Sequence, residues 1–305
     1  MHPTKLQGII PPMITPLKGD DELDREGAVR LTEHLVAGGA HAIFLLGTTG
    51  EAQSLTYRLR YEFVELVCRQ VAGRVPVLVG VTDTAFIESI RLAEHAAKCG
   101  AVGVVAAPPY YFAPSQQELI EYYTALADAL PLPLYLYNMP SHVKVFLEPA
   151  TVKTLAEHPN IVGLKDSSAN MTYFQTLLYH LGDNPDFSLY VGPEELTGEC
   201  VLLGADGGVN GGANIFPELY VAMYDAACAH DIARVREIQR RIMQISTSVY
   251  TVGKYGSSYL KGVKCALSLL GVCDDYLSYP YRKFRTEERA RIRQALEALG
   301  ANCNV

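Results

Sequence analysis

Eight short apolar runs recur along the chain, and helix-period stretches fill the intervals between them. The runs are "GIIPPMIT" from Gly8, "AIFLLG" from Ala42, "PVLVGV" from Pro76, "GVVAAPP" from Gly103, "PLYLYNMP" from Pro133, "IVGLKDS" from Ile161, "SLYVGPE" from Ser188 and "DGGVNGG" from Asp206. Stretches such as "REGAVRLTEHLVAGG", "ESIRLAEHAAKCG" and "SQQELIEYYTALADAL" lie between them and repeat apolar residues every three or four positions. Strands that alternate with helices predict βα units and a parallel sheet. Eight units whose strands are apolar on both faces fit a closed (β/α)₈ TIM barrel better than an open sheet. An open sheet would usually carry a nucleotide loop, and the chain has neither GxGxxG nor GxxxxGK[ST]. After the eighth unit the pattern turns helical, in "DIARVREIQRRIMQISTSVY", "SSYLKGVKCALSLLG" and "TEERARIRQALEALG". The expected organisation is therefore a barrel carrying the active site over residues 1–229 and a C-terminal helical extension over 230–305.

Composition narrows the function classes. The formal charge of −7 and the mixing of both signs leave no basic stripe for nucleic acid. No segment reaches the roughly 18 apolar residues of a membrane span, and the opening "MHPTKLQGIIPP" lacks the apolar core of a secretion signal. Seven scattered cysteines without a CxxC pair point to reduced thiols and a cytoplasmic protein. The eight histidines form no ligand-spaced cluster, and His34, His41 and His95 sit in helix or loop contexts, so neither a metal nor another cofactor is expected.

Candidate chemistry collects at the C-terminal ends of the strands, where a barrel carries its active face. Lys165 ends the sixth run without a break. Alternation puts Ile161, Gly163 and Lys165 on one face, with Gly163 leaving space below the lysine. One reading is a lysine that snorkels to the rim and pairs with Asp166. The other is a nucleophile, because a desolvated amine titrates lower and then attacks a ketone to form a Schiff base. Tyr137, near the end of the fifth run, is either core filling or a proton shuttle beside Lys165. Thr48 and Thr49, in "LLGTTGEAQSL", form either an ordinary capped turn or a cradle for a carboxylate. Tyr110 and Tyr111, in "PPYYFAPS", are compatible with plain packing.

Taken together, "GTTGE" (47–51), "PYY" (109–111), "YNMP" (137–140), "GLKDSS" (163–168) and "GADGGVNGGANIFP" (204–217) carry a resemblance in both order and spacing. Over nearly its whole length the chain resembles the dihydrodipicolinate synthase / N-acetylneuraminate lyase family. The resemblance implies a barrel with a helical extension, usually a homotetramer built as a dimer of dimers. It implies a metal-free class I enzyme that binds pyruvate or another 2-oxo acid as an imine and works with an aldehyde. It makes Lys165 the Schiff-base lysine, Tyr137 the general acid/base, and Thr48 and Thr49 the holders of the pyruvate carboxylate. Tyr111 would complete a proton relay with Tyr137 and Thr48 across a subunit interface, and the backbone around Val209 would line the pyruvate pocket.

Departures from the family pattern bear on the second substrate. In the synthases an arginine five residues after the catalytic tyrosine binds the carboxylate of aspartate semialdehyde; here the position is His142, with Lys144 nearby. A neutral imidazole lacks the charged, bidentate fork of a guanidinium. Glu194 and Glu195 align with an acidic pair that holds sugar hydroxyls in the sialic acid lyases, and Ser167 falls where those lyases use a hydroxyl. The lyase pattern is incomplete too, since Thr48 stands where a serine is frequent and Gly211 where a serine is expected. The sequence thus puts first a pyruvate-dependent lyase or aldolase acting on a hydroxylated 2-oxo acid, a 2-keto-3-deoxy sugar acid or a sialic-acid-like compound. The alternatives are a synthase of the 4-hydroxy-tetrahydrodipicolinate type, a 2-keto-3-deoxy acid dehydratase, and a barrel that binds 2-oxo acids without turnover.

Overall fold

The computed structural model describes residues 5–303, so the first four residues of the N-terminal stretch read above lie outside the described residues. Each of the eight apolar runs supplies one strand of a single parallel sheet. In chain order these are β1 (Gly8–Ile9), β2 (Ile43–Leu45), β3 (Val77–Gly80), β4 (Gly103–Ala106), β5 (Leu134–Asn138), β6 (Ile161–Asp166), β7 (Ser188–Val191) and β8 (Gly207–Gly208). β2 to β8 pair in sequence order, and β1 pairs with β8. The sheet is curled, and one isolated bridge lies between β2 and the residues after β1. Pro12, just beyond β1, bridges in parallel to Phe44, whose N–H donates to Pro11 O at 3.0 Å and whose carbonyl accepts from Met13 N–H at 2.9 Å. The architecture is TIM-barrel-like.

β1 and β8 are far shorter than their apolar runs. Pro11 and Pro12 have no N–H to offer a ladder, and the run from Gly207 has too few side chains to pack a longer strand. A two-stranded antiparallel ribbon, Leu17–Gly19 with Glu22–Leu23, was not foreseen. Its strands are two and three residues long, below what periodicity can register.

Period-two alternation sorts the strands' side chains. Phe44, Leu78, Val105, Tyr135, Tyr137 and Tyr190 fill the interior of the curled sheet. Leu45, Val79, Val104, Leu136, Leu164 and Val191 face outward and pack under the helices. β6 departs from the alternation expected for it. Its register against β5 slips between Ile161 and Gly163, a bulge centred on Val162. Ile161 therefore joins the outer core and Val162 packs toward the interior, the reverse of the expectation. From Gly163 onward the register is regular, so Lys165 lies level with Tyr137 and Tyr190 and points inward.

The C-terminal helices run over Ile232–Ser248, Ser258–Leu269 and Thr286–Ala298. No helix among the described residues is long and apolar enough to cross a membrane.

Candidate active site

The turn after β2 is built on backbone strain. Leu46 and Glu51, neither of them glycine, adopt left-handed conformations with φ of 57° and 56° on either side of the "GTTG" segment. Such residues cost on the order of 1–3 kcal/mol each and persist only where their surroundings hold them. The holding group here is an ion pair: Lys264, with no exposed surface, meets the Glu51 carboxylate. Glu51 also accepts from Ser278 N–H at 2.9 Å, and Lys264 donates to Tyr276 O at 2.7 Å. Thr15 adds a 2.7 Å bond to Gly50 O. Replacing Lys264 with methionine leaves a buried, uncompensated carboxylate, so urea denaturation should show a loss of about 3–5 kcal/mol. An unchanged unfolding midpoint would mean the pair does not hold the turn.

Thr48 and Thr49 occupy the apex of that turn. Among the described residues, their backbone N–H groups find no acceptor. The Thr48 hydroxyl lies 3.3 Å from Tyr137 Oη, and the Thr49 hydroxyl 3.0 Å from Tyr259 Oη. Two N–H groups without an acceptor thus stand beside two hydroxyls at the apex of the turn.

Lys165 is buried, 7% exposed, and its Nζ stands 4.3 Å from the Tyr137 ring centroid and 5.4 Å from that of Phe44. Among the described residues no carboxylate comes within ion-pair distance of it. The pairing with Asp166 is not formed. Asp166 points to the opposite side of β6, where it accepts from Asn138 Nδ2 (2.8 Å), Ser168 N–H (3.1 Å) and Ser168 Oγ (2.9 Å). Burial pushes its carboxyl pKa up, and those bonds oppose the rise. Asn138 also accepts from Leu147 N–H, and so ties the ends of β5 and β6 together. This clamp keeps Tyr137 level with Lys165. The Tyr135 ring fills the space beside Gly163, where a Cβ would stand 2.7 Å from it, and a small void remains between Tyr135 and Lys165.

A cavity of about 350 Å³ opens in front of Tyr137 and Thr48. Tyr110, Met139, His142 and Glu51 line it, together with Gly256, Ser257, Tyr259 and Tyr281 from the C-terminal segment. Lys165 and Val209 share a much smaller void behind it, with Phe44 common to both. The C-terminal contributions were missed in the sequence, where they lie in helical or coil stretches far from any strand end.

His142 sits at the cavity rim on the short helix Pro140–Val143, with Ser141 Oγ 3.0 Å from its Nδ1. Burial of the ring lowers its pKa. Lys144 is exposed and off the cavity wall. Tyr111 is 76% exposed and stacks edge-on against the exposed Phe112, away from its own chain's cavity. Ser167 donates its N–H to Asn138 O and packs against the Gly192 turn. The acidic pair is engaged elsewhere. Glu194 accepts from Tyr220 Oη (2.5 Å), Tyr250 Oη (2.7 Å) and Gly212 N–H (2.8 Å), and burial pushes its pKa up to about 7. Glu195 accepts from the Ser246 hydroxyl, and its backbone carbonyl accepts from Gln239 Nε2. Neither carboxylate lies on the cavity wall.

The geometry can be set beside known proteins. The model of the dihydrodipicolinate synthetase family matches residues 5–299. A 4-hydroxy-tetrahydrodipicolinate synthase of Methanopyrus kandleri is 31% identical over 298 residues, covering 97% of each chain. A structure of dihydrodipicolinate synthase from Bacteroides thetaiotaomicron superposes with a TM-score of 0.94 at 60% identity, covering 96% of this chain and 98% of that one. A crystal structure of YagE, a prophage protein of the same family from E. coli K12 in complex with pyruvate, superposes with a TM-score of 0.91 at 31% identity, covering 96% and 98%. The relatives are named as synthases, which overturns the expectation of a lyase for hydroxylated or sialic-acid-like 2-oxo acids as the main activity. The engagement of Glu194 by three protein donors accounts for the misreading: an acidic pair is visible in a sequence, but what occupies it is not. A family match from residue 5 to residue 299, with a buried lysine over a tyrosine ring and a threonine turn beside that tyrosine, places the chain in the dihydrodipicolinate synthetase family, as an enzyme of the lyase type.

Proposed function

We propose that the protein is a 4-hydroxy-tetrahydrodipicolinate synthase that condenses pyruvate, bound as an imine on Lys165, with aspartate 4-semialdehyde. The observation that carries this reading is Lys165 itself: buried, inward-pointing, free of any carboxylate partner among the described residues, and lying over the Tyr137 ring. In its free-base form the amine adds to C2 of pyruvate, and Tyr137 passes a proton to the departing oxygen, which leaves as water. Tyr137, left as the phenolate, takes a methyl proton from the imine to give an enamine; the enamine carbon attacks the aldehyde, and Tyr137 returns the proton to the new alkoxide oxygen. The amino group of the semialdehyde then displaces Lys165 from C2 and closes the ring. Thr48 and Thr49 hold the pyruvate carboxylate through their free N–H groups and hydroxyls, and Val209 bounds the pocket beside Lys165.

His142 takes the place of the arginine in this scheme. Ser141 Oγ lies 3.0 Å from Nδ1, and in this reading the ring proton is on Nε2, where a neutral imidazole offers one donor to the second carboxylate. A hydrogen bond to a charged group is worth roughly 1.5–3 kcal/mol, and the imidazole forgoes the charge. The purified enzyme should consume pyruvate on addition of aspartate 4-semialdehyde, and His142→Arg should lower KM for the semialdehyde by roughly tenfold. A wild-type enzyme that traps pyruvate yet gives no product with the semialdehyde would overturn the synthase reading.

The remaining features of this proposal are a closed (β/α)₈ barrel over residues 1–229, an extension over 230–305 and a homotetramer. The edge-to-edge bonds around Phe44 support closure. The exposed Tyr111–Phe112 pair suits a relay completed by a neighbouring subunit. Seven cysteines without a disulfide suit a cytoplasmic setting.

A further inference from the structure

Gly211 stands where the resemblance leads one to expect a serine, and the structure shows what occupies the space. A Cβ at position 211 would lie 1.7 Å from the Tyr259 hydroxyl oxygen and 2.7 Å from its Cζ. Tyr259 enters from the helix Ser258–Leu269 and reaches the cavity between Tyr137 and the eighth strand end. Only a residue without a side chain at 211 admits it. Its hydroxyl lies 3.0 Å from Thr49 Oγ1. From behind, the Tyr250 ring meets it edge-on at 4.9 Å, and Tyr250 is itself fixed to Glu194. Glu194, which the family pattern suggested for the substrate, is thus the anchor of an aromatic support for Tyr259.

Hydrogen-bond accounting gives the contact a direction. Two hydroxyls share one bond, so one proton is used between them and the other remains available. A phenol is the more acidic donor. Burial and the nearby Glu194 carboxylate hold the Tyr259 pKa well above its usual value, so the proton stays on the phenol at working pH. We propose that Tyr259 is a positioning residue for the 2-oxo acid: its hydroxyl, admitted by Gly211, donates to Thr49 and turns the Thr49 hydroxyl toward the substrate carboxylate. A charged acceptor beyond Thr49 strengthens the chain of donors. The inference rests on the reading of Thr48 and Thr49 as the carboxylate cradle. It assigns the C-terminal segment a part in substrate binding beyond covering the barrel.

The test is a pyruvate titration with borohydride trapping at Lys165, followed by intact mass and peptide mapping, so that no aldehyde substrate enters the measurement. Tyr259→Phe keeps the ring and removes the proton. Half-saturating pyruvate should rise roughly tenfold, while the fraction trapped at saturation stays at the wild-type level. A general loosening of the fold would lower both. Gly211→Ala should give a similar rise by displacing the hydroxyl, and in the Tyr259→Phe background it should add less than about twofold, because the contact it disturbs is already gone. An unchanged half-saturation in Tyr259→Phe, or effects that multiply in the double variant, would overturn the proposal. Should Tyr259→Phe fail to fold, Gly211→Ala decides alone: a rise supports the proposal and an unchanged titration overturns it. A wild-type enzyme that traps no pyruvate would fail the Lys165 reading instead, and the two failures are distinct.

Discussion

Lys165→Ala should abolish both the borohydride-reduced pyruvate adduct and turnover, with kcat falling by at least about 10⁴-fold, the order lost when a covalent nucleophile is removed. The fold should survive. Lys165 has no carboxylate partner among the described residues, so its removal orphans no buried charge, and the atoms lost face a small void already present beside Phe44 and Val209. Lys264 is the opposite case, a lysine whose loss costs stability directly, because Glu51 depends on it, and reaches activity only through the turn that Glu51 holds. Lys165→Ala should therefore lose activity without stability, whereas Lys264→Met should lose stability and, with the turn, part of the activity. Peptide mapping of the wild-type adduct completes the test. Lys264 is held by Glu51, Lys261 lies 4.0 Å from the Tyr255 ring centroid, and Lys144 is exposed off the cavity. An adduct on any of these three, or a Lys165→Ala enzyme that still turned over, would remove Lys165 from its assigned place.

What the sequence made legible follows physical range. Eight strands and the C-terminal helices were readable because burial on both faces of a strand, and on one face of a helix, writes a local pattern over many residues. The inward aim of Lys165 was reached by alternation, although the alternation failed at Ile161, because a one-residue bulge at Val162 leaves no mark in composition. The proximity of Tyr137 and Lys165 followed from their places at the ends of adjacent strands, while that of Tyr137 and Thr48 was implied by the resemblance. Tyr259, Lys264 and the tyrosines around Glu194 were out of reach. Each makes contacts separated by between about 26 and 213 residues in the chain, as Lys264 does with Glu51 and Tyr220 with Glu194. Glu194 shows the cost of reading a motif without its surroundings, since a carboxylate engaged by two phenols and an amide has the same letter as one facing a substrate.

Tyr137→Phe should lower kcat by about 10²–10⁴-fold, the range of a positioned general acid or base. The substitution isolates one proton. The ring stays in the interior core with Phe44, Tyr135 and Tyr190, with Lys165 Nζ 4.3 Å from its centroid, so neither packing nor the aromatic contact is removed. What disappears is the hydroxyl 3.3 Å from Thr48 Oγ1. Imine trapping should slow without vanishing, because addition of the amine to C2 requires Lys165, while loss of water from the carbinolamine is the step that needs proton transfer. Water entering the open cavity would carry that proton less efficiently. The pyruvate half-saturation should move less than kcat, since the carboxylate cradle at Thr48 and Thr49 keeps its N–H groups. This pattern is the inverse of the one expected for Tyr259→Phe, where binding weakens and chemistry persists. Two phenols thus approach the same threonine turn from opposite sides, one from β5 and one from the C-terminal helix, with separable tasks. A Tyr137→Phe enzyme with near-wild-type kcat would reduce Tyr137 to core filling and leave the proton transfer to solvent or to a group from a neighbouring subunit.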